Sequence, residues 1–473
     1  MKKRFGLISL LLGLVLLLCG CGVGAKKPLF RATDDLYTLP KLPEEYRNLQ
    51  AKIEEVTTGM GAEYSAPLRG TNTQPVQLQD LDGDGVLEAI AFFKVSKAGD
   101  TEKPLRIYIF RQTEDGYEVG AVLEGGGAAI NSITYENLND SPAKELVVSW
   151  QASVNVYTLA VYSIEGSELV ELMSSGYTSY EIMDIDMDNK KEILILYLDT
   201  VEGSKSRLDC WDSSENSLVL SASAPMSLGV TGLDTDPVRR GYLKGETPIP
   251  ALFVTSIYGD GIITDIFAWK SDTLKNITLR STNNKTADDP GDMGVSYGTY
   301  RVKDSAKPTD INDDSFLELP IAINQPLAAG ELKAGELAPV QTPTFDAWYQ
   351  FDLDGNAWLV YTTYHNFDDG WYFILPQSWE GVTTVAQNSV VGEKGSMFGH
   401  WQDESSKPFF TIYKLTGPNR HTRARLGQRF TLASDGATIY CAEFVPGSWS
   451  SGLDEAGAKD QFKMIKPDWT AGG

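Results

Sequence analysis

Histidine and cysteine are scarce in this chain. Its three histidines, His365, His400 and His421, are too scattered to suggest a histidine metal site. Of its four cysteines, Cys19 and Cys21 fall at the very front. Cys210 and Cys441 lie far apart in strand-like runs, which makes no disulfide framework, so both are expected to be buried free thiols. The sequence has no P-loop, H-E-x-x-H or C-x-x-C, which points away from an enzyme. Positive charge is also short. With 41 Lys and Arg against 64 Asp and Glu, the net charge is −23, which argues against nucleic acid or an anionic membrane surface as partner. Beyond Leu18, no run is long and apolar enough to cross a bilayer.

The front of the chain reads as an address, residues 1–20. Lys2, Lys3 and Arg4 precede the apolar run Leu7–Leu18, which has the length of a secretory leader. The run ends Leu18-Cys19-Gly20-Cys21, which resembles a bacterial lipobox, with Gly20 as the small residue before a lipidated Cys21. Diacylation there would hold the chain stably to the membrane on its extracytoplasmic side, at the cell surface. Residues 21–42 then form a tether, and 43–73 a helix and lead-in. Pro43 opens that helix, Gly59 ends it, and Tyr46, Leu49, Ile53 and Val56 recur at helical spacing.

What the chain does have is a recurring acidic turn. Asp80–Glu88 (D-L-D-G-D-G-V-L-E) returns as Asp184–Glu192 (D-I-D-M-D-N-K-K-E) and Asp310–Glu318 (D-I-N-D-D-S-F-L-E), with a fainter copy at Asn137–Glu145 (N-L-N-D-S-P-A-K-E). Alternate oxygen side chains on a tight loop form the ring of hard ligands that Ca²⁺ prefers. The expected ligands are Asp80, Asp82, Asp84, the Val86 carbonyl and Glu88; Asp184, Asp186, Asp188, the Lys190 carbonyl and Glu192; and Asp310, Asn312, Asp314, the Phe316 carbonyl and Glu318. Gly83 and Gly85 permit the bends. Asn189, Lys190 and Lys191 weaken the second set, and the Asn137 copy is expected to hold by hydrogen bonds alone. An EF-hand would need a carboxylate at position 12, where Ala91, Ile195 and Ile321 stand, so the loops are strand-flanked and the ion structural.

From Val76 to His365 short β-rich runs alternate with turn residues. A lead strand precedes each loop (Pro75–Leu78, Ile133–Tyr135, Tyr180–Met183, Tyr300–Val302), and an apolar strand follows it (Ala89–Val95, Leu146–Trp150, Ile193–Leu198, Leu319–Ile323). An eroded unit is placed at Gly229–Asp236. Four strands in about 40–50 residues is the size of one propeller blade. The loops resemble the FG-GAP and VCBS repeats of integrin-like β-propellers, and Leu36–Phe93 resembles the start of VCBS-repeat lipoproteins of gut Firmicutes, a family of largely unassigned function. The resemblance implies a mainly β fold with a propeller at residues 74–365. Counting loops gives five blades, and insertions at Lys205–Asn216 and Ser281–Gly298 allow six or seven.

Residues 366–473 read as a small α+β domain, with strands at Trp371–Leu375, Phe409–Leu415, Phe430–Ala433 and Thr438–Phe444 and helices at Arg420–Gln428 and Glu455–Met464. Exposed, the aromatics of Phe345–Trp379 would make platforms for sugars or peptides, but alternate ones are expected to fill the last blade and the domain interface, as strand aromatics usually do. Arg420, Arg423, Arg425 and Arg429 form a basic cluster able to take an acidic ligand or to pair with the propeller's carboxylates. The functional expectation is a lipid-anchored, calcium-stabilised module that binds or scaffolds a protein or glycan. The alternative is a carbohydrate-active propeller enzyme, a lyase or hydrolase, which needs a cleft with paired carboxylates.

Overall fold

The computed structural model describes residues 47–95, 103–114, 116–166, 168–201, 205–215, 217–281, 294–303, 306–323, 345–403, 405–447 and 449–465. The leader, Cys21, the tether and Tyr46 lie outside the described residues.

The chain is mainly β. Six antiparallel sheets of four or five strands follow one another, with a short ribbon of Arg280–Ser281 against Gly294–Val295. The first sheet holds Ala62–Tyr64, Val76–Gln79, Glu88–Val95, Leu105–Thr113 and Gly116–Gly125. The second holds Ala129–Glu136, Glu145–Ser153, Val156–Glu165 and Glu168–Tyr177, each strand pairing with the next. Ser179–Met183, Glu192–Tyr197, Arg207–Ser214 and Ser217–Pro225 make the third in the same way. Val230–Leu243, Ile249–Tyr258, Gly261–Lys270 and Thr273–Asn276 make the fourth. The fifth runs Leu319–Ile323, Phe345–Phe351, Ala357–Asn366, Trp371–Ile374 and Phe462–Met464, and the sixth covers Thr383 to Phe444.

Strand alternation explains how the sheets stack. Successive side chains of a strand point to opposite faces. In Glu192–Tyr197, Ile193 and Ile195 join a core with Val147, Leu159 and Val161 of the second sheet. Leu194 and Leu196 join a different core with Leu252 and Val254 of the fourth. Ala251 and Phe253 in turn meet Leu319 and Phe351 of the fifth sheet. Ile90 and Phe92 pack toward Leu146 and Val148 of the second sheet, which shares its core with the first. Inner strands are therefore apolar on both faces, while the outer strand Ser217–Pro225 alternates buried and exposed.

Helix α1, Arg47–Met60, buries Leu49 and Ile53 on the remaining face of the first sheet, against Ala89, Ala91, Phe93 and Phe110. It thus occupies the face that a closing neighbour would use. Among the described residues no shared apolar core joins the first sheet to the fifth or sixth.

Several expectations change. The lead strand of the Asp310 loop is not Tyr300–Val302. Arg301–Val302 pairs with Gly261–Ile262 of the fourth sheet, and Thr309 bridges Glu318 instead. The stretch Gly229–Asp236 is no loop, because Val230–Leu243 is one long strand, bulged between Leu233 and Val238. The C-terminal segment is dominated by sheet. Its helices shrink to Arg420–Arg423 and Glu455–Gln461, and Phe462–Met464 pairs back onto Trp371–Phe373. The hairpin of Ala357–Asn366 and Trp371–Ile374 spans residue 365.

Most of the aromatics of Phe345–Trp379 fill a core, while Trp358 and Phe367 stay exposed. Trp348, Trp371, Phe373 and Trp379 are buried, and the last three pack with Phe398 and Phe410 of the sixth sheet. Cys210 and Cys441 are buried and free, and burial pushes both thiols up to about 12. The arginine cluster is used locally: Arg429 forks onto Glu393 of its own sheet, while Arg420 and Arg423 donate to the carbonyls of Gly436 and Val391.

Candidate metal centre

The four turns share one construction. Position 9 is a buried glutamate at the head of the second strand, or one residue before it. Its Oε2 accepts a hydrogen bond from the backbone N–H of position 2: Leu81 to Glu88 (2.8 Å), Leu138 to Glu145, Ile185 to Glu192 and Ile311 to Glu318 (2.9 Å each). The position 2 side chain is itself buried in all four. This clasp closes the turn over apolar packing.

Within the turn, each aspartate caps the backbone ahead of it. Asp80 accepts from Gly83 and Gly85, Asp82 from Asp84, and Asp84 from Val86. In three of the turns positions 4 and 6 adopt positive φ, supplied by glycine in the first (Gly83 +78°, Gly85 +87°) but by Met187 and Asn189, and by Asp313 and Ser315, in the Asp184 and Asp310 turns. A left-handed conformation costs a non-glycine residue roughly 1–2 kcal/mol, so the later turns hold this shape against local strain.

The turns differ at their centres. One carboxylate oxygen from each of Asp184, Asp186, Asp188 and Glu192 can be chosen so that all lie within 4.8 Å of one another. Asp184 Oδ1 and Glu192 Oε1 are buried there without a hydrogen-bond partner. Burial, then repulsion from Asp186, Asp212 and Asp184, pushes the Glu192 carboxyl up to about 8. At an effective dielectric near 20, two full charges at that spacing repel by on the order of 3 kcal/mol. A neutral turn stabilised by a few net hydrogen bonds of about 1 kcal/mol each cannot absorb several such pairs. The site can therefore hold a proton or a cation, and its all-oxygen donor set suits a hard divalent ion. Asp80, Asp82 and Glu88 form a second cluster on the same criterion. Burial raises Glu88, with Asp82 and Asp84 adding to it.

The Asp310 turn is filled differently. Gln350 Nε2 donates to Asp314 Oδ2 (2.7 Å) and Glu318 Oε1 (2.6 Å), and Asn312 Nδ2 donates to Asp314 Oδ2 (2.8 Å). Amide hydrogens stand where a cation would sit. In the Asn137 turn, Asn139 Nδ2 donates to Glu145 Oε1 (2.5 Å) in the same manner, so hydrogen bonds do the work there. The lysines after Asp188 do not face the cage. Lys190 Nζ pairs with Asp140 (3.0 Å) and Lys191 Nζ with Glu136 (2.7 Å), both in or beside the neighbouring turn. The first three turns are thus tied into one rim: Lys144 N–H also donates to the Leu81 carbonyl, and a side chain at Gly83 would strike Pro142 at 2.8 Å. A cleft of about 450 Å³ lies between the second and third turns, lined by Asn139, Asp140, Glu145, Lys190, Ser213 and Leu218 among others.

Sequence reasoning missed Gln350, which sits 32 residues from the glutamate it satisfies. It also missed Asp352-Leu-Asp-Gly-Asn356, a turn in which Asp352 accepts from the backbone of Asp354 and Asn356.

No protein-family model matches the chain, and no curated protein matches it. Among solved structures it is similar to an exotype rhamnogalacturonan lyase, YesX, at 11% identity over 73% of this chain and 72% of that one, with a TM-score of 0.27. That likeness supports neither a shared fold nor a shared activity.

Proposed function

We propose that this chain is a lipid-anchored extracellular module, built from propeller-type sheets stiffened by Ca²⁺, that binds a glycan or protein and does not catalyse. The observation that carries the reading is the cage of Asp184, Asp186, Asp188 and Glu192 with its two orphaned buried oxygens. Blade-like strand order, with an acidic turn between first and second strands, supports the kinship to FG-GAP repeats. Cys21, behind its leader, is the attachment point in this reading. The glutamates with raised pKa, Glu88, Glu145, Glu192 and Glu318, are each spent on a backbone clasp, which leaves them poorly placed as the paired acid and base of a glycosidase.

Calorimetric titration of chelated protein with CaCl₂ tests the metal. Binding is expected in the parent and strongly weakened in a D186N/E192Q variant; equal heats in both would refute the cage. A panel of polysaccharides assayed for retention and for new reducing ends tests the rest, since turnover would replace the binding module with the lyase or hydrolase reading.

A further inference from the structure

We propose that the rim opposite the acidic turns carries a tyrosine platform that takes a neutral polysaccharide. This deepens the binding-module reading and rests on it. In an antiparallel sheet, the turn joining strands two and three lies at the other end from the turn joining one and two. In the fourth sheet the end of strand one lies beside the Asp310 turn, where the Leu317 N–H donates to the Tyr242 carbonyl, so the hairpin of Ile249–Tyr258 and Gly261–Lys270 turns, at Gly259 and Asp260, away from the acidic rim.

Three rings meet at that turn from two places in the chain. Tyr258 lies edge-on to Tyr297 (6.1 Å between centroids, 85°) and to Tyr300 (6.3 Å, 77°). Tyr297 is 57% exposed and Tyr300 37%. The rings are seated on glycines. A Cβ at Gly229 would stand 3.3 Å from the Tyr258 ring, and one at Gly261 would stand 2.7 Å from the Tyr300 ring and hydroxyl. Beside them Gly259 and Gly298 face open space. Fixed aromatic surface left in water is a feature of binding faces, and tyrosine offers rigid area at low entropic cost.

The polar edge selects the ligand. Tyr258 Oη donates to Tyr297 Oη (3.3 Å), which keeps its own hydrogen to give. Tyr300 Oη donates to Asp260 Oδ1 (2.7 Å), a bond that holds the Asp260 carboxyl below its ordinary range and therefore ionised. Ring faces match the C–H faces of pyranoses, while the phenol and carboxylate oxygens match their hydroxyls. The Asp260 charge, on a chain of net −23, repels uronates and sulfated glycans.

Affinity electrophoresis of the full chain, in detergent with CaCl₂, through native gels containing galactomannan, xyloglucan, mixed-linkage β-glucan or polygalacturonate tests this. At least one neutral polymer is expected to retard the protein. Y297A/Y300A should weaken that retardation at least about tenfold, and Y297F/Y300F should keep most of it. A calcium-dependent melting shift equal to the parent's shows that the variants are folded. Retardation undiminished in Y297A/Y300A, retardation by polygalacturonate alone, or none by any neutral polymer, as for a platform that captures a peptide, would each overturn the proposal. Cleavage of a neutral polymer that still depends on Tyr297 and Tyr300 would keep the platform and overturn only the non-catalytic reading.

Discussion

The turns at Asp184–Glu192 and Asp310–Glu318 have the same clasp and the same two left-handed residues, yet they neutralise themselves in opposite ways. In one, four carboxylates face each other and two of their oxygens have no hydrogen-bond donor. In the other, Gln350 and Asn312 bring amide hydrogens to the same positions. The same backbone turn thus carries two different arrangements of polar groups. What differs is whether the chain's own amide donors meet the carboxylate oxygens or leave them open to a cation borrowed from solution.

Removing the borrowed charge should have the largest effect. Chelation is expected to cost on the order of 3–4 kcal/mol relative to saturating Ca²⁺, read as a fall in Tm that CaCl₂ reverses. The chelated protein should also depend on pH. Glu192 binds its proton more tightly folded, to about pH 8, than unfolded near 4.5, so stability is greatest below pH 4.5 as far as this group is concerned and is lost as pH rises to 8. E192Q should flatten that slope; an unchanged slope would remove Glu192 as its source.

Next in size is the exchange of one solution for the other. Gln350→Glu should cost about 2–3 kcal/mol in chelator, because a buried donor becomes an acceptor among acceptors, and calcium should restore much of it. A loss that calcium leaves untouched would show that this turn cannot adopt the other mode. Gly83→Ala should cost about 1–3 kcal/mol, through its positive φ and its contact with Pro142, and denaturant titration measures it. The smallest effect belongs to Lys190→Ala, which removes an exposed, solvent-screened pair with Asp140 and should leave Tm and calcium affinity little altered. A large loss of affinity would place the lysine in the cage after all.

The sequence reading recovered what is local and lost what is distant. The acidic turns were legible because their ligands lie within nine residues, and the strands after them because runs such as Glu88–Val95 are apolar throughout. Helix α1 was legible from the spacing of Leu49 and Ile53. Gln350 carries no signal beside its turn, since only strand pairing brings it there. Tyr258, Tyr297 and Tyr300 likewise meet only through the fold. The C-terminal strand Thr383–Val390 was overlooked because its second half is exposed, leaving no apolar rhythm to read. The arginine-rich segment suggested a longer helix than forms, and Arg420 and Arg423 instead tie loop carbonyls.

Strands such as Glu192–Tyr197, greasy on both sides, pose a pairing problem. Where one side is wet, a slip of one residue exposes the wrong side chains and is punished. Here a slip would merely trade Ile193 and Ile195 for Leu194 and Leu196 between two equally dry neighbours. The glutamate at the strand's head breaks that symmetry, because only one alignment lets its carboxylate reach the N–H of Ile185. The clasp is in this sense an index mark, and it would keep each sheet in step even where a turn has given up its ion.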